Sequence, residues 1–363
     1  MSDSGNINGF DVAGNMRRPR VHLELIGNYL IDLISIHTRQ RMFRPLITNF
    51  YVTQKCNLRC IYCFPPGDEL DSDLNLNIAL LKKIRPHSPV INFTGGEPLL
   101  YPHLSDMIKK ARELRFYPIL LSTNALLMNR LEKLLPHIDH LIVSLDSVKE
   151  ETNDAMAGVR GVSGDIIENI IKCAKLVHLY GHQMSIHSVI SPRNLDDIAE
   201  TAGFCDRLNI TFSISPQHDR YNPSPELIDS PTYTAVIDNL IDLKMRGMPI
   251  VCSLGYLRAI REFRRRRCYP YVSPRVFPDG SVYFPCERIR DTRLSLHDYD
   301  SLISLMRKHA QFSNRTECAN RCYLACYVEV EQYFRKPLSI LREIPLMRVV
   351  SGRSTGREKN APN

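Results

Sequence analysis

The chain has 363 residues, of which 44% are hydrophobic and 24% charged, ordinary values for a soluble globular protein with room for one large domain and a smaller one. No run of about 18 apolar residues appears, which excludes a simple membrane span. The formal charge of +8 fits an acidic or phosphorylated substrate, a nucleic acid or an anionic membrane surface without choosing among them. The eleven cysteines are too unevenly placed for a disulfide framework. The start is polar (MSDSGNING) and no apolar signal segment follows it, so a reducing cytoplasm is expected, where clustered cysteines bind metal.

Residues 1–20 read as a flexible lead. From Val21 to Arg41 an apolar period (Leu23, Ile26, Leu30, Leu33, Ile34) is interrupted by Asn28 and Asp32 and flanked by Arg17, Arg18, Arg20 and Arg39. This predicts an amphipathic helix over 21–41, either packed on the rest of the chain, the favoured reading, or lying on a membrane surface. From residue 47 strand-like runs fall at Ile47–Val52, Val90–Thr94, Ile119–Ser122, His140–Leu145, Met184–Ile190 and Ile210–Ser215, with helix-like stretches near 76–86, 103–115, 126–136, 163–180 and 194–207. Such alternation implies parallel pairing through right-handed crossovers, an α/β fold. Six units make a partial (β/α)6, TIM-like barrel with its active site at the carboxyl ends of the strands. After Pro231 a helix near 232–246 leads through Arg264-Arg265-Arg266-Arg267 into a region running from Cys268 to Cys326. The expected organisation is an extension over 1–46, the barrel over 47–230, a small C-terminal cysteine-bearing domain over 231–349 and a disordered tail over 350–363.

Cys56-x3-Cys60-x2-Cys63 follows the first strand and so lies at the active face. Three thiolates so close in sequence reach three corners of one small cluster and leave a fourth corner without a protein ligand, which makes a reactive iron. A zinc site with a distant fourth ligand is the alternative, and the x3/x2 spacing fits it poorly. Tyr62 directly precedes Cys63. Thr94-Gly95-Gly96-Glu97-Pro98 follows the second strand; its glycines let backbone approach a ligand closely, and its carboxylate can pair with a charged amino group. Ser122-Thr123-Asn124 ends the third strand, Ser144-Leu145-Asp146-Ser147 ends the fourth, and Arg160-Gly161 precedes a helix. Each of these last segments, taken alone, reads equally as a polar strand end or a helix cap.

Taken in order, these segments resemble the radical S-adenosylmethionine (SAM) enzymes over about residues 47–216. The resemblance implies a [4Fe–4S] cluster on Cys56, Cys60 and Cys63 and a bound SAM. It places Tyr62 beside the adenine, and Gly95, Gly96 and Glu97 in the family's GGEP motif. Ser122 and Asn124 fall in its TNG-type segment, Ser144 and Asp146 in its SLDG-type segment, and Arg160 against the SAM carboxylate. The implied chemistry is one-electron cleavage of SAM to methionine and a 5′-deoxyadenosyl radical, which takes a hydrogen atom from an unactivated carbon, with flavodoxin or ferredoxin as electron donor.

The stretch from Cys268 to Cys286 resembles the opening of SPASM and twitch domains, where a hairpin separates two cluster-ligating cysteines, and Asp279-Gly280 is itself a hairpin signal. Five residues separate Gly280 from Cys286 where the family usually shows about four, a departure that loosens the match. Cys318-x3-Cys322-x3-Cys326 adds further thiolates. A full SPASM domain offers about seven cysteines for two auxiliary clusters, whereas one [4Fe–4S] cluster needs at most about four. Cys268, Cys286, Cys318, Cys322 and Cys326, even with Cys252, therefore favour a single auxiliary cluster in a twitch-like domain. Cys268, Cys286, Cys322 and Cys326 are the favoured ligands and Cys318 the alternate; a structural zinc site on the same residues stays open. Cys173 and Cys205, and Cys252 with them, read as plain buried cysteines. Arg264 to Arg267 form a solvated basic face or meet an acidic substrate or reductant, and His187 and His218 read as polar lining residues.

The function expected is a radical SAM enzyme that abstracts hydrogen from a small molecule and, helped by the auxiliary cluster, completes a dehydrogenase-type oxidation. Maturation of a ribosomal peptide is the alternative, although residues 1–46 are too few for the peptide-binding domain of about eighty residues that such enzymes often carry. A lipid-linked substrate is a third reading, through peripheral membrane contact at 21–41. A non-catalytic Fe–S or zinc module binding nucleic acid explains the charge but not the ordered segments, so no nucleic-acid partner is expected.

Overall fold

The computed structural model describes residues 19–38, 42–63, 73–220, 222–264, 268–290, 292–309 and 322–338. The expectations for residues 1–18, 39–41, 265–267, Cys318 and the tail over 350–363 fall outside the described residues.

The six expected strands are present as β1 (Thr48–Thr53), β2 (Ile91–Gly95), β3 (Ile119–Thr123), β4 (His140–Ser144), β5 (Gln183–Ile190) and β6 (Thr211–Pro216). They alternate with helices α2 (Leu74–Ile84), α3 (Leu104–Glu113), α4 (Met128–Leu134), α5 (Glu150–Ala157), α6 (Ser163–Leu179) and α7 (Ile198–Arg207), after an opening helix α1 (Pro19–Thr38). Each strand pairs in parallel with its sequence neighbour. Parallel pairing with helical crossovers covers one face of the sheet, and the alternation of side chains obeys this. Phe50, Phe93, Leu121, Leu141, Ile186 and Phe212 are fully buried in one core with Leu80, Met107, Ile108 and Ile170 of the helices.

The opposite, inner face is polar. Asn92 Nδ2 donates to Asn49 Oδ1 (2.9 Å) and Ser122 Oγ donates to Asn92 Oδ1 (3.0 Å), joining β1, β2 and β3. His140 Nε2 lies 2.9 Å from Ser185 Oγ, and His187 bridges Ser213 and Ser215, each at 2.9 Å. Burial lowers the His187 pKa to about 4, so it is a neutral ring locked between two hydroxyls.

Beyond β6 the chain forms a short antiparallel pair, β7 (His218–Asp219) with β8 (Asn222–Pro223), then α8 (Pro231–Met245) and α9 (Leu254–Glu262). Ser230 and Ser253 cap these two helices by accepting from Tyr233 N and Tyr256 N. The Asp279-Gly280 turn forms, with Gly280 at φ 76° and Asp279 Oδ1 accepting from Ser281 N at 2.9 Å. Phe277 N donates to Ser281 O (3.0 Å) across it, but the strands on its two sides take different partners. The strand before it, β9 (Arg275–Val276), joins β1 in parallel and makes the main sheet seven-stranded, in the order β6-β5-β4-β3-β2-β1-β9. The strand after it, β10 (Ser281–Phe284), pairs instead with β11 (Thr292–Ser295). Helices α10 (Leu302–His309) and α11 (Ala325–Arg335) complete the described chain, and one apolar core runs from Phe50 to Val328.

Helix α1 closes the amino end of this sheet. Asn28 Nδ2 donates to Pro45 O (3.1 Å) and His87 O (2.8 Å), just ahead of β1 and β2, and His22 packs edge-on against Tyr117, just ahead of β3. No helix among the described residues is long and apolar enough to cross a membrane.

Candidate active site

The loop carrying Cys56, Cys60 and Cys63 leaves β1 at the carboxyl end of the sheet and is held from two sides. Beneath it lies the turn after β2: Gly96 N donates to Thr53 O (3.0 Å) and Glu97 N to Lys55 O (2.8 Å). A Cβ on Gly95 would stand 2.2 Å from Thr53 O, and one on Gly96 2.3 Å from Lys55 O. The glycines thus admit the backbone of the cysteine loop. On the other side stands α5, an element the sequence reading did not include. Arg59 N and Ile61 N donate to Ala157 O (2.9 Å) and Met156 O (3.0 Å), using carbonyls left open by the last turn of that helix. Gly158 ends it at φ 68°, where a Cβ would lie 2.2 Å from Arg59 O. The acidic first turn (Glu150, Glu151) and the glycine at the end were the available sequence signals for α5.

The polar strand ends gather around this loop. Glu97 is buried, and both its oxygens are engaged: Leu99 N (2.9 Å) and Thr123 Oγ1 (2.7 Å) donate to Oε1, and Asn124 N (2.8 Å) to Oε2. Burial raises its pKa and these donors pull it back. Its visible work is to tie the ends of β2 and β3 together. Asn124 Nδ2 donates to Asn57 Oδ1 (2.8 Å), inside the cysteine loop. Tyr62 OH donates to Asp146 Oδ2 (2.6 Å), and Val189 N donates to Asp146 Oδ1 (2.8 Å). Burial lifts the Asp146 carboxyl to about 6. Ser122 lies deeper on the inner face, while Ser144 is exposed at the end of β4 and Arg160 on the turn before α6.

Cys56 and Cys60 are half-buried and Cys63 is exposed. Burial raises the pKa of Cys56 and Cys63 and pushes Cys60 up to about 12, and charge on any one of them opposes charge on its neighbours. Thiols in this setting become thiolates when a cationic centre compensates them. Among the described residues no three Cys, His, Asp or Glu side chains converge as ligands of a single metal ion. The donor set of three cysteines on one loop fits an iron–sulfur cluster.

A second group of thiols sits against the inner side of β9. Arg275 Nη1 pairs with Glu287 Oε1 (2.5 Å), its Nη2 donates to Cys326 Sγ (3.4 Å), and Tyr327 OH donates to Glu287 Oε2 (2.7 Å). Burial raises Cys286, to about 12, and also Cys322 and Cys326; Cys322 further feels charge on Cys326 and Cys286. The fourth favoured cysteine, Cys268, is half-buried. It precedes Tyr269, which packs edge-on against Phe334 near the end of α11, and Cys326 lies at that helix's start. Cys173, Cys205 and Cys252 are buried as expected, Cys173 Sγ lying 3.6 Å from Met128 Sδ.

Sequence reasoning missed Arg288. It donates to Arg220 O (2.9 Å) beyond β7 and lies 3.9 Å from Glu287 Oε1. Burial raises Cys63, and the charge of Arg288 offsets part of that rise; it does the same for Cys326. The charge of this arginine therefore reaches both cysteine groups. The signal was the run Cys286-Glu287-Arg288, visible but without a partner in the sequence.

The pattern of the Radical SAM superfamily matches residues 50–205. The chain is 29% identical over 192 residues to the S-adenosylmethionine-dependent nucleotide dehydratase of Lacinutrix mariniflava, covering 48% of this chain and 39% of that one. It is 28% identical over 185 residues to the GTP 3′,8-cyclase of Aquifex aeolicus, covering 47% and 57%. The matches thus span about half the length of these curated relatives. The crystal structure of Streptococcus suis SuiB bound to precursor peptide SuiA shares the fold, with a TM-score of 0.61 and 18% identity over 90% of this chain and 80% of that one.

Proposed function

The chain belongs to the radical SAM superfamily, and on that premise we propose that it takes a hydrogen atom from a small polar molecule and completes a two-electron oxidation. The observation that carries this reading is the meeting of the cysteine loop, Glu97, Asn124 and the Tyr62–Asp146 pair at the carboxyl rim of one parallel sheet. SAM with a [4Fe–4S] cluster on Cys56, Cys60 and Cys63 supplies, when bound, the 5′-deoxyadenosyl radical. The chain's own part is positional: α5 and the turn after β2 fix the loop, and Asp146 orients the Tyr62 ring. A second cluster held by Cys286, Cys322 and Cys326 would supply an electron acceptor, and the guanidinium of Arg275 on Cys326 would favour its reduced form.

The inner face supports a polar substrate. Neutral His187 with Ser213 and Ser215, and the Asn49–Asn92–Ser122 row, offer hydrogen bonds along the barrel. Arg288, whose charge reaches both cysteine groups, suits an acidic group such as a phosphate or carboxylate. Both relatives named above act on nucleotides by their names. A peptide substrate is the second reading, supported by the likeness to SuiB in its peptide-bound form. Anaerobically reconstituted protein should release 5′-deoxyadenosine faster when given the metabolite fraction holding its substrate. The Cys286→Ser/Cys322→Ser variant should still cleave SAM but leave that substrate unoxidised. Oxidation by the double variant at the wild-type rate would refute the role given to the second cluster.

A further inference from the structure

Helix α1 is inside out. Apart from Val21 its buried positions are polar: Asn28, Asp32 and Ser35 face the protein, and Asp32 Oδ1 accepts from Arg44 N at 2.7 Å. Its outer face carries Leu23, Ile26, Leu30 and Ile34, which are 66%, 55%, 49% and 54% exposed. These positions recur at helical spacing and form one stripe. The acids of the helix point away from it, Glu24 being paired with Arg85 (3.0 Å) and Asp32 buried. In the sequence Arg17, Arg18 and Arg20 precede the residues of the stripe and Arg39 and Arg41 follow them.

We propose that this stripe docks α1 flat on a phospholipid bilayer rich in anionic headgroups, with the aliphatic side chains in the interface and the flanking arginines on the headgroups. An aliphatic face between basic ends is the pattern of an interfacial helix. A second copy of the chain fits it less well. In either orientation a paired stripe would bring arginine-bearing ends together, and a stable dimer buries about 800 Å² per partner, more than four half-exposed side chains supply. The docking face lies at the amino ends of the strands, about 17–20 Å of strand away from the cysteine loop. Docking therefore places the enzyme at the membrane with its site turned toward solution, and does not feed a lipid-linked substrate into the barrel. This inference does not depend on the reaction proposed above.

The test is flotation of the full chain with phosphatidylcholine vesicles, with and without phosphatidylglycerol, alongside Ile26→Glu/Leu30→Glu. The wild type should float with the anionic vesicles and lose flotation at high salt. The variant should partition at least about tenfold less while retaining iron content and SAM cleavage. The proposal is overturned if the wild type does not float, or if the variant floats equally. It is also overturned if light scattering shows a wild-type dimer that the variant splits.

Discussion

Replacing Gly158 with alanine tests whether the end of α5 seats the cysteine loop. The residue sits at φ 68°, and an added Cβ would meet Arg59 O at 2.2 Å. A non-glycine residue in this region costs about 1–2 kcal/mol. The clash is with backbone, so no rotamer relieves it. If the loop lifts away, the bonds from Arg59 N to Ala157 O and from Ile61 N to Met156 O are lost, at about 1 kcal/mol each. The sum, about 3–4 kcal/mol, falls on the segment carrying Cys60 and Cys63. The expected outcome is a folded protein that takes up about half the wild-type iron, keeping its second cluster, and forms no 5′-deoxyadenosine. Iron analysis and product assay after anaerobic reconstitution check this. A Gly158→Ala protein with full iron and wild-type SAM cleavage would refute the reasoning.

Other predictions follow from the same geometry. Cys286→Ser and Cys326→Ser should each lose about half of the wild-type iron content; iron analysis of the two variants decides. Arg275→Met strands a buried Glu287 carboxylate and should cost about 3–5 kcal/mol in urea unfolding, much of it recovered in Arg275→Met/Glu287→Leu. Burial raises the Asp32 carboxyl to about 8. The folded state therefore holds a proton that the unfolded state releases near pH 4, and stability falls as pH rises from there to about 8. Asp32→Asn should remove that slope, so its Tm advantage over wild type should grow from pH 5 to pH 8 and then level off. An advantage that shrinks over this range would contradict the assignment.

The strands and the order of the site were legible because they depend on local pattern. Strand runs such as Ile119–Ser122 alternate with helical periods, and each polar segment sits at a strand's end. What depended on distant partners was not legible. Arg275–Val276 is too short to show a strand period, and its place beside β1 follows from pairing with Asn49 and Phe50. The stripe on α1 was visible, but periodicity is blind to whether an apolar face turns in or out; Asn28 and Asp32, read as interruptions, are the anchors. The closeness of Gly95 to the carbonyl of Thr53, and of Gly96 to that of Lys55, depends on the distant course of the cysteine loop and was not legible either.

The account stands on the claim that Cys56, Cys60 and Cys63 make this chain a reductive SAM-cleaving enzyme. The direct measurement is 5′-deoxyadenosine and methionine formed from SAM by reconstituted protein under dithionite, beside Cys60→Ala. The account predicts equimolar products from the wild type and none from the variant. Wild-type protein carrying its full iron and yielding neither product would contradict it.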